Sequence, residues 1–228
     1  MRIFVVTAFP QLLNSPLNES ILKRAQEKKL VEIKMVDLRD FTEDKHKQVD
    51  DYPYGGGPGM ILKPEPFFKA VENIKTAENL ADPLIILMTP QGETFTQGKA
   101  KELAQPKEII FLCGHYKGVD ERIRENLITE EISIGDYILT GGELAAMVVI
   151  DSVVRLLPGV IGDFDSAKTD SFEQAMLDCP HYTRPENFHG MKVPEVLLSG
   201  HHGEIEKWRR EKALARTQEQ RADLLVKN

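Results

Sequence analysis

The 228-residue sequence predicts an α/β domain with a mainly parallel sheet, followed by a small, mostly helical domain. Three observations carry this. Short apolar runs alternate with stretches of helical period, the pattern of strands joined by crossover helices. Three of the five strand candidates are almost wholly apolar, as strands covered on both faces are. After Gly159 large apolar residues thin out, and two helix-start signals follow.

Taken in order, "RIFVV" (2–6) reads as a buried first strand, and "MRIFVVTAFP" is too short and too early for a signal peptide. Ser15-Pro16 reads as an N-cap with proline at the first helical position, and Leu17, Ile21 and Ala25 mark one face. "VEIKMV" (31–36) is the second strand. Pro64 or Pro66 opens a helix with Phe67, Val71 and Ile74 inward. "LIILM" (84–88), "EIIFLC" (108–113) and "EISI" (131–134) complete the strands, and Thr96 and Asp120 are N-caps between them. The most apolar helix, 142–159, is ended by Pro158-Gly159. The composition of 160–170 is that of a flexible connector. Ser171-x-x-Gln174 and Thr217-x-x-Gln220 are capping boxes that predict helices starting there. The expected division is a domain over 1–159, a linker over 160–170 and a helical domain over 171–228.

Bulk properties narrow the function. Hydrophobic residues make up 41% and charged residues 29%, ordinary for a soluble globular protein. No apolar run approaches the roughly 18 residues that span a bilayer, so no membrane partner is expected. Two cysteines build neither a disulfide framework nor a zinc spacing, which predicts a cytoplasmic setting. The net charge of −7 argues against a non-specific nucleic-acid binder. The charge is uneven, however: residues 201–228 hold seven Lys or Arg against five Asp or Glu, and the first 200 residues carry −9. A nucleic acid can still dock on a local basic surface.

"DDYPYGGGPGM" (50–60) invites a phosphate-cradle reading, but it lacks the Lys-Ser/Thr pair, and Pro58 removes an amide donor. Asp50 and Asp51 repel phosphate besides. Glycines at that density lower loop stability, so something flat must approach the backbone closely. Gly114 in "LCGHYKGVDERI" (112–123) follows a buried strand, where ligands meet α/β sheets. His115 after it reads as a base or as a plain hydrogen-bonding group. In "SIGDYILTGGELAAM" (133–147), glycines flank "DYIL" and leave backbone groups free to read a purine edge; an ordinary strand-to-helix connection is the alternative. Helix-end electrostatics alone account for Asp170 and Arg155. Cys179 and His181 are too few for zinc. "DCPHYTRPE" (178–186) offers stacking and phosphate-contacting groups in Tyr182 and Arg184.

Together and in order, "RDFT" (39–42), "VDDYPYGGGPGM" (49–60), "CGHYKGVDERI" (113–123), "SIGDYILTGGELAAMVVIDSVVRLLPGV" (133–160), "DSFE" (170–173) and "DCPHYTRP" (178–185) strongly resemble the bacterial tRNA (guanine-N1)-methyltransferases of the SPOUT superfamily. The resemblance runs from the first strand to the helix around Trp208. It implies a SPOUT-type domain tied in a deep trefoil knot, and a homodimer whose active sites are shared between subunits. It implies S-adenosyl-L-methionine as methyl donor and N1 of tRNA guanine 37 as acceptor, where guanine precedes it at 36. It carries cofactor binding over to Thr89, Pro90, Gln91, Gly114, Ile134, Gly135, Asp136, Tyr137, Ile138, Leu139, Gly141 and Gly142. Asp170 matches the general base and Arg155 the assisting cation. Asp50, Pro58, Gly59, His181, Arg184 and Trp208 are the expected tRNA contacts. Relatives depend on Mg2+, for which no ligand cluster stands out in the sequence. Lys117 departs from the pattern, since many members carry glutamate there. A non-catalytic RNA-binding module that keeps the fold is the alternative reading.

Overall fold

The computed structural model describes residues 1–161 and 169–226. The chain divides into two compact units, Met1–Gly162 and Asp163–Asn228. Most of the expected connector 160–170 lies outside the described residues.

The first unit is built on strands β1 (Arg2–Thr7), β2 (Glu32–Asp37), β5 (Leu84–Thr94), β6 (Glu108–Cys113) and β7 (Glu130–Ser133). They form one sheet in the order β2-β1-β6-β5-β7, with every neighbouring pair parallel. Side chains alternate between faces along a strand. Ile3, Val5, Ile86, Ile109 and Phe111 therefore enter one core, and Phe4, Val6, Leu87, Ile110 and Leu112 the other. Helices α1 (Gln11–Leu17), α2 (Ser20–Glu27), α4 (Gln97–Leu103) and α6 (Glu143–Val154) contribute Leu13, Ala25, Leu103 and Val149 to the first core. Helices α3 (Pro64–Ala77) and α5 (Glu121–Asn126) contribute Phe67, Val71, Ile74 and Ile123 to the second. Each fully buried side chain of this size contributes roughly 1.5–3 kcal/mol relative to exposure. The Thr96 hydroxyl accepts the Lys99 N–H and the Asp120 carboxylate the Arg122 N–H, so both expected caps are in place.

Three expectations need correction here. Pro16 does not start a helix. It lies inside α1, which begins at Gln11 after Pro10, and the chain breaks before α2. Burial of Leu13 recruits the residues before the proline, and tertiary packing outweighs the local signal. Helix α6 ends at Val154, before Pro158-Gly159. Pro158 has no N–H for the Val154 carbonyl; Leu157 takes that carbonyl in a turn instead. Strand β5 runs on past Met88 through an irregularity to Thr94.

In the second unit the described elements are a hairpin, β8 (Asn187–Phe188) with β9 (Met191–Lys192), then α7 (Glu195–Leu198), α8 (His202–Gln220) and a 3₁₀ turn, Ala222–Leu225. Neither capping box starts a helix. Residues 171–176 form turns with Phe172 and Ala175 at positive φ, and the Ser171 hydroxyl accepts the Asp178 N–H. Thr217 lies inside α8, fully buried. Its hydroxyl donates to the Ala213 carbonyl and accepts the Leu177 N–H. In both cases the hydroxyl serves a longer-range bond instead of a cap.

Candidate active site

A cleft of about 790 Å³ opens at the carboxyl ends of β5, β6 and β7. This is where open α/β sheets take ligands, because crossover loops leave a crevice there. Every described residue lining it belongs to the first unit. Thr89, Pro90 and Gln91 form the wall from β5. They are braced by Arg124, which donates to Gln91 Oε1 and bonds both oxygens of Glu131, once at 3.0 Å. Gly92 makes this possible: a Cβ there would sit 2.4 Å from the Glu131 carbonyl carbon and the Ile132 nitrogen.

Gly114 follows β6, and its carbonyl accepts the Gly142 N–H at 2.8 Å. Gly141 and Gly142 enter α6 so close to β6 that a Cβ on Gly142 would lie 3.0 Å from Cys113 Cα. The segment 134–139 forms a rim. Tyr137 bonds the Ile134 carbonyl, Gly135 takes φ +141° beneath the Tyr137 ring, and Ile138 is 81% exposed although it faces the cleft. Apolar side chains, bare glycine backbone and this volume suit a nucleoside-sized ligand. Asp136 is exposed and is the one expected cofactor residue that does not line the cleft.

The cleft also takes in Leu87, Met88, His115, Tyr116, Lys117, Glu121, Arg124 and Thr140, which the sequence reading did not assign. The signal for six of them was adjacency: His115, Tyr116 and Lys117 continue the loop that Gly114 begins, Leu87 and Met88 lead into Thr89, and Thr140 adjoins Gly141, whereas Glu121 and Arg124 come from α5. Burial pushes the Cys113 thiol well up, with Glu143 adding to it, so this cysteine is inert beside the cleft.

The glycine loop is the tip of a hairpin between β3 (Asp50–Asp51) and β4 (Ile61–Leu62). Gly55, Gly56, Gly57 and Gly59 all have positive φ, which only glycine adopts freely. Backbone bonds from Lys117 to Met60 and from Leu62 to Gly118 tie the hairpin to the cleft wall. Pro58 and Gly59 are exposed and do not line the cleft. The Lys117 side chain lies over Gly59, so close that a Cβ would meet its Cγ at 2.5 Å.

Arg155 follows α6 in the first unit, half-buried. In the second unit Asp170 is half-buried before the turns, and its carbonyl accepts the Glu173 N–H. His181 Nε2 is 2.7 Å from Asp178 Oδ2. Burial raises the Asp178 carboxyl, but the His181 and Cys179 hydrogen bonds outweigh it and hold the group below its ordinary 3.8. Tyr182 and Trp208 rings lie 6.4 Å apart, with Lys212 over the Trp208 ring at 5.9 Å. Arg184 is exposed. Asp178, Cys179 and His181 bring three potential metal-binding atoms within 4.8 Å, although Asp178 and His181 already bond each other.

A doubly covered parallel sheet with a glycine-walled cleft at its carboxyl edge defines an α/β protein built to bind a nucleotide-like ligand. The family described as tRNA (Guanine-1)-methyltransferase TrmD matches residues 1–227, and the chain belongs to that family. A tRNA (guanine-N(1)-)-methyltransferase of Anoxybacillus flavithermus is 60% identical over 225 residues, covering 99% of this chain and 91% of that protein. Proteins of the same name from Halalkalibacterium halodurans and Bacillus cereus are 59% and 58% identical, over 99% of this chain and 91% and 92% of theirs.

Proposed function

We propose that the chain transfers a methyl group from S-adenosyl-L-methionine to N1 of guanine 37 in tRNAs with guanine at 36. The observation that carries this is the cleft, which is lined by eleven of the twelve expected cofactor positions, all but Asp136. The cofactor supplies a methyl group already activated by a sulfonium. The protein's share is orientation: Gly114, Gly141 and Gly142 let an adenosine approach the backbone, and Ile138 and Leu139 cover it.

Asp170 accepts the N1 proton, which must leave before N1 can attack. A carboxylate is a far weaker base than the deprotonated guanine that it would have to generate. Proton loss is therefore coupled to methyl transfer, and Arg155 stabilises the negative charge developing at O6. Asp50, Pro58, Gly59, His181, Arg184 and Trp208 contact the tRNA, with the Tyr182–Trp208 pair as a stacking platform.

The reading also includes a deep trefoil knot, a homodimer with shared sites and a cytoplasmic setting. The bond from Gly142 to Gly114 and the bridge from His115 to Gly141 hold the segment before α6 against the loop after β6. No helix among the described residues is long and apolar enough to cross a membrane. Asp178, Cys179 and His181 do not fit magnesium, which takes oxygen ligands, and no step runs through it. The relatives' names favour a methyltransferase over a non-catalytic RNA-binding module.

The test is transfer of labelled methyl to a tRNA bearing G36-G37. Asp170→Asn should abolish turnover while calorimetry still detects cofactor binding. Undiminished transfer to a transcript lacking guanine 37 would overturn the specificity, and full activity of Asp170→Asn would remove that residue from its role.

A further inference from the structure

A buried acid sits directly behind the cleft wall. The Glu143 side chain is 2% exposed at the first turn of α6. Its Oε1 accepts the Thr7 hydroxyl at 2.6 Å, and the Thr7 oxygen accepts the Phe9 N–H at 2.9 Å. No Lys or Arg is recorded as an ion-pair partner of Glu143 among the described residues. Its Oε2 faces His115 Nδ1 at 3.7 Å. That nitrogen is buried and has no hydrogen-bond partner. The His115 ring is wedged between Phe9, at 4.4 Å, and the edge of Tyr116, at 4.7 Å. Cys113 is the other titratable group near the carboxylate, and burial keeps it a thiol.

Two bare acceptors cannot face each other at this range without repulsion, so a proton lies between Glu143 Oε2 and His115 Nδ1, and the imidazole nitrogen is the more basic of the two atoms. The same atoms lock the glycine wall. A Cβ on Gly141 would sit 2.2 Å from Glu143 Oε2 and 2.4 Å from His115 Nδ1. His115 lines the cleft, and its Nε2 is neither bonded nor among the buried unpartnered atoms. With the single ring proton on Nδ1, Nε2 is a bare acceptor facing the cleft.

We propose that Glu143 is a positioning residue. It fixes the Nδ1–H tautomer of His115, so that Nε2 accepts a hydrogen bond from an N–H of the ligand's base. Thr7 aims the carboxylate. The ligand half of this rests on reading the cleft as the cofactor site; the tautomer half does not.

Long-range ¹H–¹⁵N NMR of the ¹⁵N-histidine-labelled full chain, without ligand, reads the tautomer directly. Nδ1–H is expected for His115, and an Nε2–H signature would overturn the proposal with no variant needed. Glu143→Gln presents an amide N–H to Nδ1 and should move the proton to Nε2. It should weaken S-adenosylmethionine binding by about tenfold, the loss of one hydrogen bond, and leave kcat at saturation within about threefold. Thr7→Ser should retain wild-type affinity and Thr7→Val should not, while a kcat loss with unchanged affinity in Glu143→Gln would refute the positioning role. If the wild-type chain failed to bind S-adenosylmethionine, the cofactor reading and the ligand half would both fall. Binding by wild type with equal binding by Glu143→Gln would overturn the inference alone.

Discussion

Replacing Gly114 by alanine separates what the cleft needs from what the fold needs. A Cβ built there meets Val119 Cγ1 at 3.6 Å and the Met88 carbonyl oxygen at 4.0 Å, both ordinary contacts, and its φ is not in the left-handed region. The folded chain accepts that methyl, with a stability change within about 0.5 kcal/mol. A ligand lying against Gly114 does not accept it. Overpacking by one methyl costs about 1–3 kcal/mol, which is roughly 5- to 150-fold in affinity. Gly92→Ala is the contrast. Its Cβ would meet backbone atoms of Glu131 and Ile132 at 2.4 Å, and backbone cannot swing aside as a flexible side chain can. About 3 kcal/mol of stability should be lost there, through the β5–β7 pairing. Thermal melting without ligand and calorimetry with S-adenosylmethionine measure both quantities on both variants. The reasoning is refuted if Gly114→Ala binds like wild type, or if it melts as early as Gly92→Ala.

Two further predictions concern charged groups. Arg124→Met removes the bonds to Gln91 and to both Glu131 oxygens, so the Thr89–Gln91 wall loosens. Cofactor affinity should fall, with a stability loss of about 1 kcal/mol in urea melts; unchanged affinity would show that the wall needs no brace. Asp178 is held below its ordinary 3.8, so its stabilising contribution is present above that value and is lost as pH falls through its folded-state pKa. The stability gap between wild type and Asp178→Asn should close in the acid range, below the ordinary carboxylate value, where the group is protonated in both states. A gap that persists undiminished there would refute the assignment.

The sheet was legible in the sequence because its strands are buried on both faces and therefore read as apolar runs. The registers of Val5 with Met35 and with Phe111 join runs visible in the sequence alone. The glycine walls were legible too, since close backbone approach leaves a compositional trace at Gly114 and at Gly141-Gly142. Helix starts were not. Ser15, Ser171 and Thr217 have the right chemistry for caps, but a hydroxyl can serve any nearby amide or carbonyl, and long-range partners claimed two of them. Thr96 and Asp120 kept their local role. Arg124 and Glu143 were opaque for a different reason: a charged residue in a first or last helical turn looks the same whether it faces solvent or a partner on another strand.

The position of β1 bears on how the chain reaches this structure. Its neighbours are β2, complete by Asp37, and β6, which starts only at Glu108. At about 5–20 residues per second of synthesis, the apolar edge of β1 waits on the order of 5–20 s for its second partner. The Thr7–Glu143 bond, 136 residues apart, closes later still. Distant pairings of this kind make folding slow, because loop-closure entropy is spent before the contacts form. The cleft is thus among the last parts of the first unit to be assembled, and a nascent chain stalled before Glu108 exposes the β1 edge with no site.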